Sequence, residues 1–232
     1  MIPEKAVVLL SGGLDSATVL AIAVNSGFDV TALSFSYGQK HSLELEMARK
    51  TALCFNIGKH LIVNLDPEPF KGSSLTDSFP IPEHREMTQE IPSTYVPARN
   101  TVFLAIALGA AESIQAAHIF IGVNSLDYSG YPDCRPEYIK AFQNLANLAT
   151  KTAVEGHPPV IHAPLLHMTK AEIIKIGMKL GVDYGKTLSC YQPQKNGLSC
   201  GACDSCVLRL KGFAANGITD PAGYRSGDYD NF

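Results

Sequence analysis

The sequence predicts an α/β fold: a parallel, Rossmann-like sheet with helices on both faces, followed by a small cysteine-bearing module. Three observations predict it. Strand-like apolar runs alternate with helix-like stretches along most of the chain. A glycine turn, Ser11-Gly12-Gly13-Leu14-Asp15-Ser16, joins the first run to the first helix. Four of the six cysteines crowd into the stretch from Cys190 to Cys206, where the alternation has stopped. Composition shifts near Tyr184, which divides the chain into an α/β domain over 1–183 and a C-terminal module over 184–232.

The first strand, 6–10, is the run Ala6-Val7-Val8-Leu9-Leu10, and the first helix covers 15–26. A second pair follows, strand 29–35 and helix 42–56, and then a strand at 60–65. Pro67 to Pro97 is long, polar and rich in Pro, Ser and Thr, which reads as a lid or mobile loop. Helix 98–116 carries the longest apolar stretch, Val102 to Ala111, about half of what a membrane span needs. Strand 118–123, helix 136–153, strand 160–163 and helix 170–180 complete the alternation. Gly27, Gly58 and Gly181 stand where helices should stop. Thr169-Lys170-Ala171-Glu172 has the form of a capping box opening the last of these helices. Such alternation builds a parallel sheet, and ligands on these sheets bind outside the carboxyl ends of the strands.

The glycine turn sits at that edge. N–H groups at a helix start lack intrahelical partners, and the dipole there favours negative charge. Gly12 and Gly13 allow close approach, while Ser11 and Ser16 add hydroxyl donors. A phosphate or pyrophosphate fits this place; the alternative is an ordinary turn capped by Asp15 or Ser16. No Gly-Lys-Ser/Thr follows, so it is not a Walker A loop, and the Gly-x-Gly-x-x-Gly spacing of dinucleotide folds is absent.

Composition narrows the function classes. With 46% hydrophobic and 18% charged residues, the 232-residue chain can build a core and is not disordered. A net charge of −3 gives no basic footprint, so no nucleic-acid partner is expected. The opening Met1-Ile2-Pro3-Glu4-Lys5 has neither a basic n-region nor an apolar h-region. A cytoplasmic protein without membrane association is expected, with reduced cysteines.

Cys190, Cys200, Cys203 and Cys206 form Cys-x9-Cys-x2-Cys-x2-Cys. Four thiolates complete a tetrahedral zinc shell, and two-residue gaps let a tight turn aim two of them at one ion. With every position filled, such a zinc is structural, one per chain. An iron–sulfur cluster also uses four thiolates and is the alternative. Cys54 reads as a core residue, whereas Cys134 lies in a polar loop.

Other loops face the same edge. Gly122 to Glu137 follows a strand and carries Asp127, Tyr131, Asp133, Arg135 and Glu137, an inventory suited to a polar heterocycle. Its plainer reading is a solvated turn in which Pro136 and Glu137 open the next helix. Arg99, in Val96-Pro97-Ala98-Arg99-Asn100, either reaches the phosphates of a bound ligand or satisfies a helix start. Ser36 to His41 follows the second strand at the same edge, where His41 reads either as a ligand contact or as an exposed helix-start residue. Lys170 adds positive charge at a helix start, where the dipole disfavours it; a phosphate partner would resolve the mismatch.

The string Ser-Gly-Gly-x-Asp-Ser resembles the PP-loop of the N-type ATP pyrophosphatases, whose fold is of the adenine nucleotide alpha hydrolase type. The resemblance implies that Leu10, Ser11, Gly12, Gly13, Leu14, Asp15, Ser16, Ala17, Thr18, Val19 and Leu20 line an ATP triphosphate. It also implies that Asp15 lies near the Mg²⁺ accompanying the pyrophosphate. Along nearly its full length the chain resembles the 7-cyano-7-deazaguanine synthase family. The match runs through Tyr37 to His41, Val96 to Asn100, Gly122 to Glu137, Leu188 to Tyr191, and Cys200 to Cys206 with Arg209 and Gly212-Phe213. Leu188 stands where the family usually has Trp.

That resemblance implies ATP-dependent conversion of 7-carboxy-7-deazaguanine and ammonia to the nitrile used in queuosine biosynthesis, by a carbon–nitrogen ligase working as a homodimer. It implies catalytic roles for Asp15, Lys170 and Arg99, and substrate contacts from Asp127, Tyr131, Asp133, Arg135 and Glu137. Two other readings remain open: a PP-loop enzyme that thiolates tRNA, and a non-catalytic nucleotide-sensing zinc protein.

Overall fold

In the computed structural model, residues 2–40, 43–85, 90–126 and 130–225 are described. Five parallel strands form one sheet in the order β3-β2-β1-β4-β5: β1 (Lys5–Leu9), β2 (Asp29–Ser36), β3 (Lys59–Asn64), β4 (His118–Phe120) and β5 (Val160–His162). Seven helices are described: α1 (Leu14–Asn25), α2 (Leu43–Cys54), α3 (Arg99–Ile114), α4 (Pro136–Ala149), α5 (Lys151–Val154), α6 (Lys170–Lys179) and α7 (Asp204–Ala214).

The strand alternation sorts the core into two layers. Val7, Leu9, Leu33, Phe35, Ile119 and Ile161 face one side and pack with Leu104, Ala107 and Ala111 of α3 and Ile139 and Phe142 of α4. Ala6, Val8, Val30, Ala32 and Phe120 face the other, packing with α1, with Ala48 and Ala52 of α2, and with Ile173 and Ile174 of α6. The central strand β1 is therefore apolar and buried from Ala6 to Leu9, as a parallel strand covered on both faces must be.

Departures from the expected boundaries have local causes. The helix expected over 136–153 breaks at Thr150, whose extended backbone (φ −121°, ψ 153°) ends α4 while its side chain accepts from Ala153 N–H to cap α5. The strand expected over 118–123 ends at Phe120; Ile121 N–H still reaches His162 O at 2.9 Å, but the following residues line a cavity instead. The capping box at α6 forms as expected: Thr169 Oγ1 accepts from Glu172 N–H, and a Glu172 carboxylate oxygen accepts from Thr169 N–H.

The long segment after β3 is tied down at several points. Phe70, Ser73, Ser74, Ile81 and Val96 are buried, and a short 3-10 helix covers Glu68–Phe70. His84 N–H donates to Ala202 O at 2.9 Å, and Arg85 pairs with Asp204 at 2.9 Å, so its middle straps the cysteine-bearing segment. That segment is also fastened to the α/β layer. Tyr184 and Phe213 sit in the core cluster with α1 and α6. Buried Arg209 donates to Asp220 at 2.7 Å, to Tyr184 O at 2.8 Å and to Thr187 Oγ1 at 2.8 Å.

Tyr184 also packs tightly against α1 and α6. Tyr184 and Thr18 share a buried hydrogen bond of 2.8 Å, and a Cβ on Gly177 would run into the Tyr184 hydroxyl. Replacing Gly177 by Ala should cost about 1–3 kcal/mol through overpacking. Thermal denaturation should show a fall of roughly 3–10 °C in melting temperature.

Candidate active site

In a sheet ordered β3-β2-β1-β4-β5, the chain leaves β1 toward one side and β4 toward the other, which opens a crevice at their carboxyl ends. A cavity of about 210 Å³ lies there. Leu33, Phe35, Phe103, Ile121 and Val123 give it apolar walls, and Phe35 and Phe103 stack at 3.9 Å between ring centroids. Its polar lining comes from Ser11, Asp15, Ser16, Tyr37, Gln39, Glu44, Arg99, Asn100, Asn124, Tyr131, Ser189 and Tyr191. Apolar walls with a few convergent polar groups suit a flat heterocyclic ligand.

The β1–α1 loop forms one wall. Gly13 is the N-cap of α1 and supplies no side chain, so neither Asp15 nor Ser16 caps the helix. Ser16 Oγ instead accepts from Ser11 N–H at 3.1 Å and donates to Gly13 O at 3.0 Å, which folds the loop back on itself. Gly12 takes φ +88°, and a Cβ there would strike the backbone of Glu44 and Ala48 in α2. Its carbonyl accepts from Leu188 N–H at 2.9 Å. The loop is thus clamped by α2 on one side and by the segment leading into Cys190 on the other.

Lys170 has found a carboxylate. Its Nζ lies 2.6 Å from Asp15 Oδ1, with the two side chains 8% and 19% exposed. The charge that looked misplaced at the start of α6 therefore answers an acid at the start of α1. Arg99 opens α3 after Ala98, a non-glycine residue in the left-handed region (φ 49°). Among the described residues the one hydrogen bond of its guanidinium goes to Tyr37 OH at 3.4 Å, which leaves most of its planar fork available to an anion. Burial opposes its charge, but Tyr37 and Asp133 nearby raise its pKa.

The other predicted positions scatter. Of the eleven residues from Leu10 to Leu20, Leu10, Ser11, Gly13, Leu14, Asp15 and Ser16 line the cavity; Ala17, Thr18, Val19 and Leu20 are buried in α1. Tyr131 lines the cavity and hydrogen-bonds to Thr94 at 2.7 Å. Asp133 is buried behind it, accepting from Asn100 N–H at 3.0 Å, and so serves the start of α3. Arg135 and Glu137 are exposed at the start of α4, outside the lining. Asp127 lies outside the described residues, as does His41. Tyr37 and Gln39 do line the cavity. Ser189 and Tyr191, from the Leu188 to Tyr191 motif, join them, as do Glu44 and Phe103, which no motif marks; Glu44 in particular reads as an ordinary acid in a helical first turn.

Besides Arg99, two lining groups have strongly shifted acidity. Burial raises the Glu44 carboxyl to about 7, with Arg99 pulling the other way. Burial, aided by Asp133, pushes the Cys134 thiol up to about 12, so it stays protonated and is a poor nucleophile at neutral pH.

Behind the cavity, Cys190, Cys200, Cys203 and Cys206 are all buried, with their sulfurs within 4.8 Å of one another. Backbone N–H groups of Gln192 and Cys200 point at Cys190 Sγ at 3.3 and 3.2 Å, and those of Ala202 and Cys203 at Cys200 Sγ at 3.4 and 3.3 Å. Hydrogen bonding among the sulfurs holds Cys200 and Cys203 below the ordinary thiol range and drives Cys190 and Cys206 above it. Four thiols this close ionise together only around a cation, so the donor set fits a thiolate-bound metal. Ile81, Leu188, and Leu43 and Met47 of α2 enclose it.

Solved structures share this architecture. A 4-thiouridine synthetase bound to RNA and ATP superposes with a TM-score of 0.54 at 21% identity, covering 95% of this chain and 47% of that one. The NMN synthetase of Francisella tularensis gives 0.50 at 17% identity, covering 94% and 79%. Both likenesses show the same parallel α/β fold as this chain. The family described as "Queuosine biosynthesis protein QueC" matches residues 5–217. The 7-cyano-7-deazaguanine synthase of Desulfatibacillum aliphaticivorans is 60% identical over 225 residues, covering 95% of this chain and 97% of the relative. That of Geotalea uraniireducens is 57% identical over 227 residues, covering 97% and 99%. The chain belongs to the QueC family.

Because Lys170 and Asp15 are both largely out of water, Lys170→Met should leave the carboxylate without its charged partner and cost about 1–3 kcal/mol. Adding Asp15→Asn should recover part of that loss. A double-mutant cycle by chemical denaturation reads the coupling, and simple additivity would show that the pair contributes nothing.

Proposed function

We propose that the protein is a 7-cyano-7-deazaguanine synthase, an ATP-dependent carbon–nitrogen ligase of queuosine biosynthesis. The carrying observation is the coincidence of near-full-length family identity with a cavity at the β1/β4 crevice whose lining matches the chemistry. A carboxylate oxygen is a poor leaving group. Transfer to the α-phosphorus of ATP makes it part of AMP and expels pyrophosphate. Ammonia then displaces AMP to give the amide, and a second adenylation, at the amide oxygen, leads to the nitrile.

No covalent nucleophile from the protein is needed. Its tasks are orientation and charge neutralisation. The β1–α1 loop supports a bound triphosphate through its helix-start N–H groups, and Arg99 adds a guanidinium facing the same space. Tyr131 and the stacked Phe35 and Phe103 provide the surface for a deazaguanine ring. Asp133 acts at one remove, by holding Asn100 and hence the entry of α3. Mg²⁺ accompanying ATP would supply charge neutralisation of the departing pyrophosphate, with Asp15 as its carboxylate ligand. At the cysteine cluster, four thiolates leave no open position for water, which favours a structural zinc, one per chain.

The thiolation reading is less favoured on one observation: Cys134 is the lining cysteine among the described residues, and it is held protonated, while four others are committed to the cluster. We place the protein in the cytoplasm, where free thiols persist, and take a homodimer as its assembly, which analytical ultracentrifugation tests. No described helix is long and apolar enough to cross a membrane.

Incubation with ATP, 7-carboxy-7-deazaguanine and ammonia should give two AMP per nitrile formed. AMP without nitrile, or nitrile without AMP, would reject the scheme. Asp15→Ala should lower turnover by roughly 100-fold or more if it serves the developing pyrophosphate charge; unchanged turnover removes it from the mechanism.

Chelation should strip about one zinc per chain. Melting temperature and ATP affinity should fall together, since Leu188, two residues from Cys190, holds the Gly12 carbonyl. Calorimetric ATP titration of the stripped protein provides the check.

A further inference from the structure

The proposed chemistry takes nitrogen in as ammonia and releases it as a nitrile that carries no hydrogen. Every proton on that nitrogen must go somewhere. When ammonia attacks the acyl adenylate, a C–N bond forms, the C–O bond to AMP breaks, and one N–H proton is lost. When the amide oxygen is adenylated, pyrophosphate leaves. Both remaining N–H protons then depart as the C–O bond breaks toward AMP, leaving C≡N. One site thus calls for a proton acceptor at both stages.

Glu44 stands in the first turn of α2 and lines the cavity. Among the described residues, no hydrogen bond or ion pair reaches its carboxyl, although the Arg99 guanidinium acts on it electrostatically. The backbone of the same turn packs on Gly12, so the residue is placed beside the phosphate loop. The groups around it are accounted for. Arg99 comes from α3 and Tyr37 from the loop after β2. Asp15 of α1 is bound to Lys170 of α6. Tyr131, Cys134 and Tyr191 complete the ionisable lining. Tyr37, Tyr131 and Cys134 are all raised by burial and keep their protons at neutral pH. Arg99 stays charged. A carboxyl titrating at about 7 is the exception among them.

We propose that Glu44 is a catalytic residue, the base that receives the protons shed by the substrate nitrogen and passes them to solvent between steps. The proposal rests on the reaction assigned above. A general base works best when its pKa lies near the operating pH, and removing one typically costs about 10²- to 10⁴-fold.

Glu44→Gln preserves size and tests the role. With ammonia, nitrile formation should fall at least roughly 100-fold. With hydroxylamine in place of ammonia, a nucleophile whose adduct sheds its proton more readily, the variant should still trap the acyl adenylate as hydroxamate. At constant free ammonia, the wild-type rate should rise with pH through a midpoint near 7, a limb that Glu44→Asp retains at reduced rate and Glu44→Gln lacks. Stability offers an independent reading. The folded pKa is raised from 4.5, so the folded state binds the extra proton, and wild type loses stability as pH rises from 4.5 to about 7. Glu44→Gln should gain in melting temperature relative to wild type across that window.

Nitrile formation within threefold of wild type would overturn the proposal. So would loss of hydroxamate along with nitrile, which marks a binding or structural role, or a stability difference independent of pH. Wild type making neither product would overturn the assigned reaction, and this role with it.

Discussion

The close approach at Gly12 is the constraint on which the site depends. Three elements meet there: the end of β1, the first turns of α2, and the segment before Cys190. Any side chain at this position would collide with the α2 backbone, and the positive φ independently favours glycine. The consequence reaches beyond the loop. By lying directly on the loop, α2 brings Glu44 to the cavity while Leu43 and Met47 of the same helix pack around the cysteine cluster. The β1–α1 loop, the cavity and the cysteine cluster thus share one packed junction. A disturbance at the cysteines has a short path to the β1–α1 loop, since only Ser189 separates Cys190 from Leu188, whose N–H holds the Gly12 carbonyl.

A second corner stores strain for a similar end. Ala98 adopts a left-handed conformation that costs a non-glycine residue on the order of 1 kcal/mol or more. The surroundings hold it in place: Tyr95 OH accepts from Ala98 N–H at 3.0 Å, and Asp133 accepts from Asn100 N–H two residues on. The sharp entry this produces sets Arg99 at the very start of α3, facing Tyr37 across the cavity rather than along the helix surface. Asp133 is best understood through this geometry. Its carboxylate is committed to the backbone that aims Arg99.

The alternation of apolar runs and amphipathic segments made most of the fold legible in the sequence, since a parallel sheet demands continuous apolar strands such as Ala6 to Leu9. Local chemistry was equally readable where it is local: the Thr169–Glu172 box, the glycine turn, the cysteine spacing. What stayed hidden depends on distant partners. Lys170 and Asp15 are 155 residues apart, so nothing near Lys170 announced the acid that pairs with it. Glu44 resembled any helix-start carboxylate until α2 was seen to lie on Gly12. Arg135 and Glu137 show the reverse case. Their residue types suit a ligand, but they belong to the exposed opening of α4, where Pro136 and a first-turn acid are what a helix start requires.

The distribution of reactive groups bears on how such a site can work. A cavity that activates an acid with ATP has to keep its own nucleophiles away from a reactive acyl adenylate. Here the thiol that lines the cavity is held protonated by burial, and four other cysteines are gathered behind it in a cluster in which the Cys190 and Cys200 sulfurs receive backbone N–H groups. Lys170, the cavity's neighbouring amine, is bound to Asp15 at 2.6 Å and does not line the space. Three kinds of side chain that would capture an activated acyl group are thereby protonated, sequestered or ion-paired. Among the described residues no hydrogen bond or ion pair reaches the carboxyl of Glu44, and a carboxylate is a poor competitor for an acyl group because its adduct is itself an activated anhydride. It can take protons from an incoming amine without ending the reaction. Partnering decided by packing, more than the choice of residue types, is what makes this cavity compatible with adenylate chemistry.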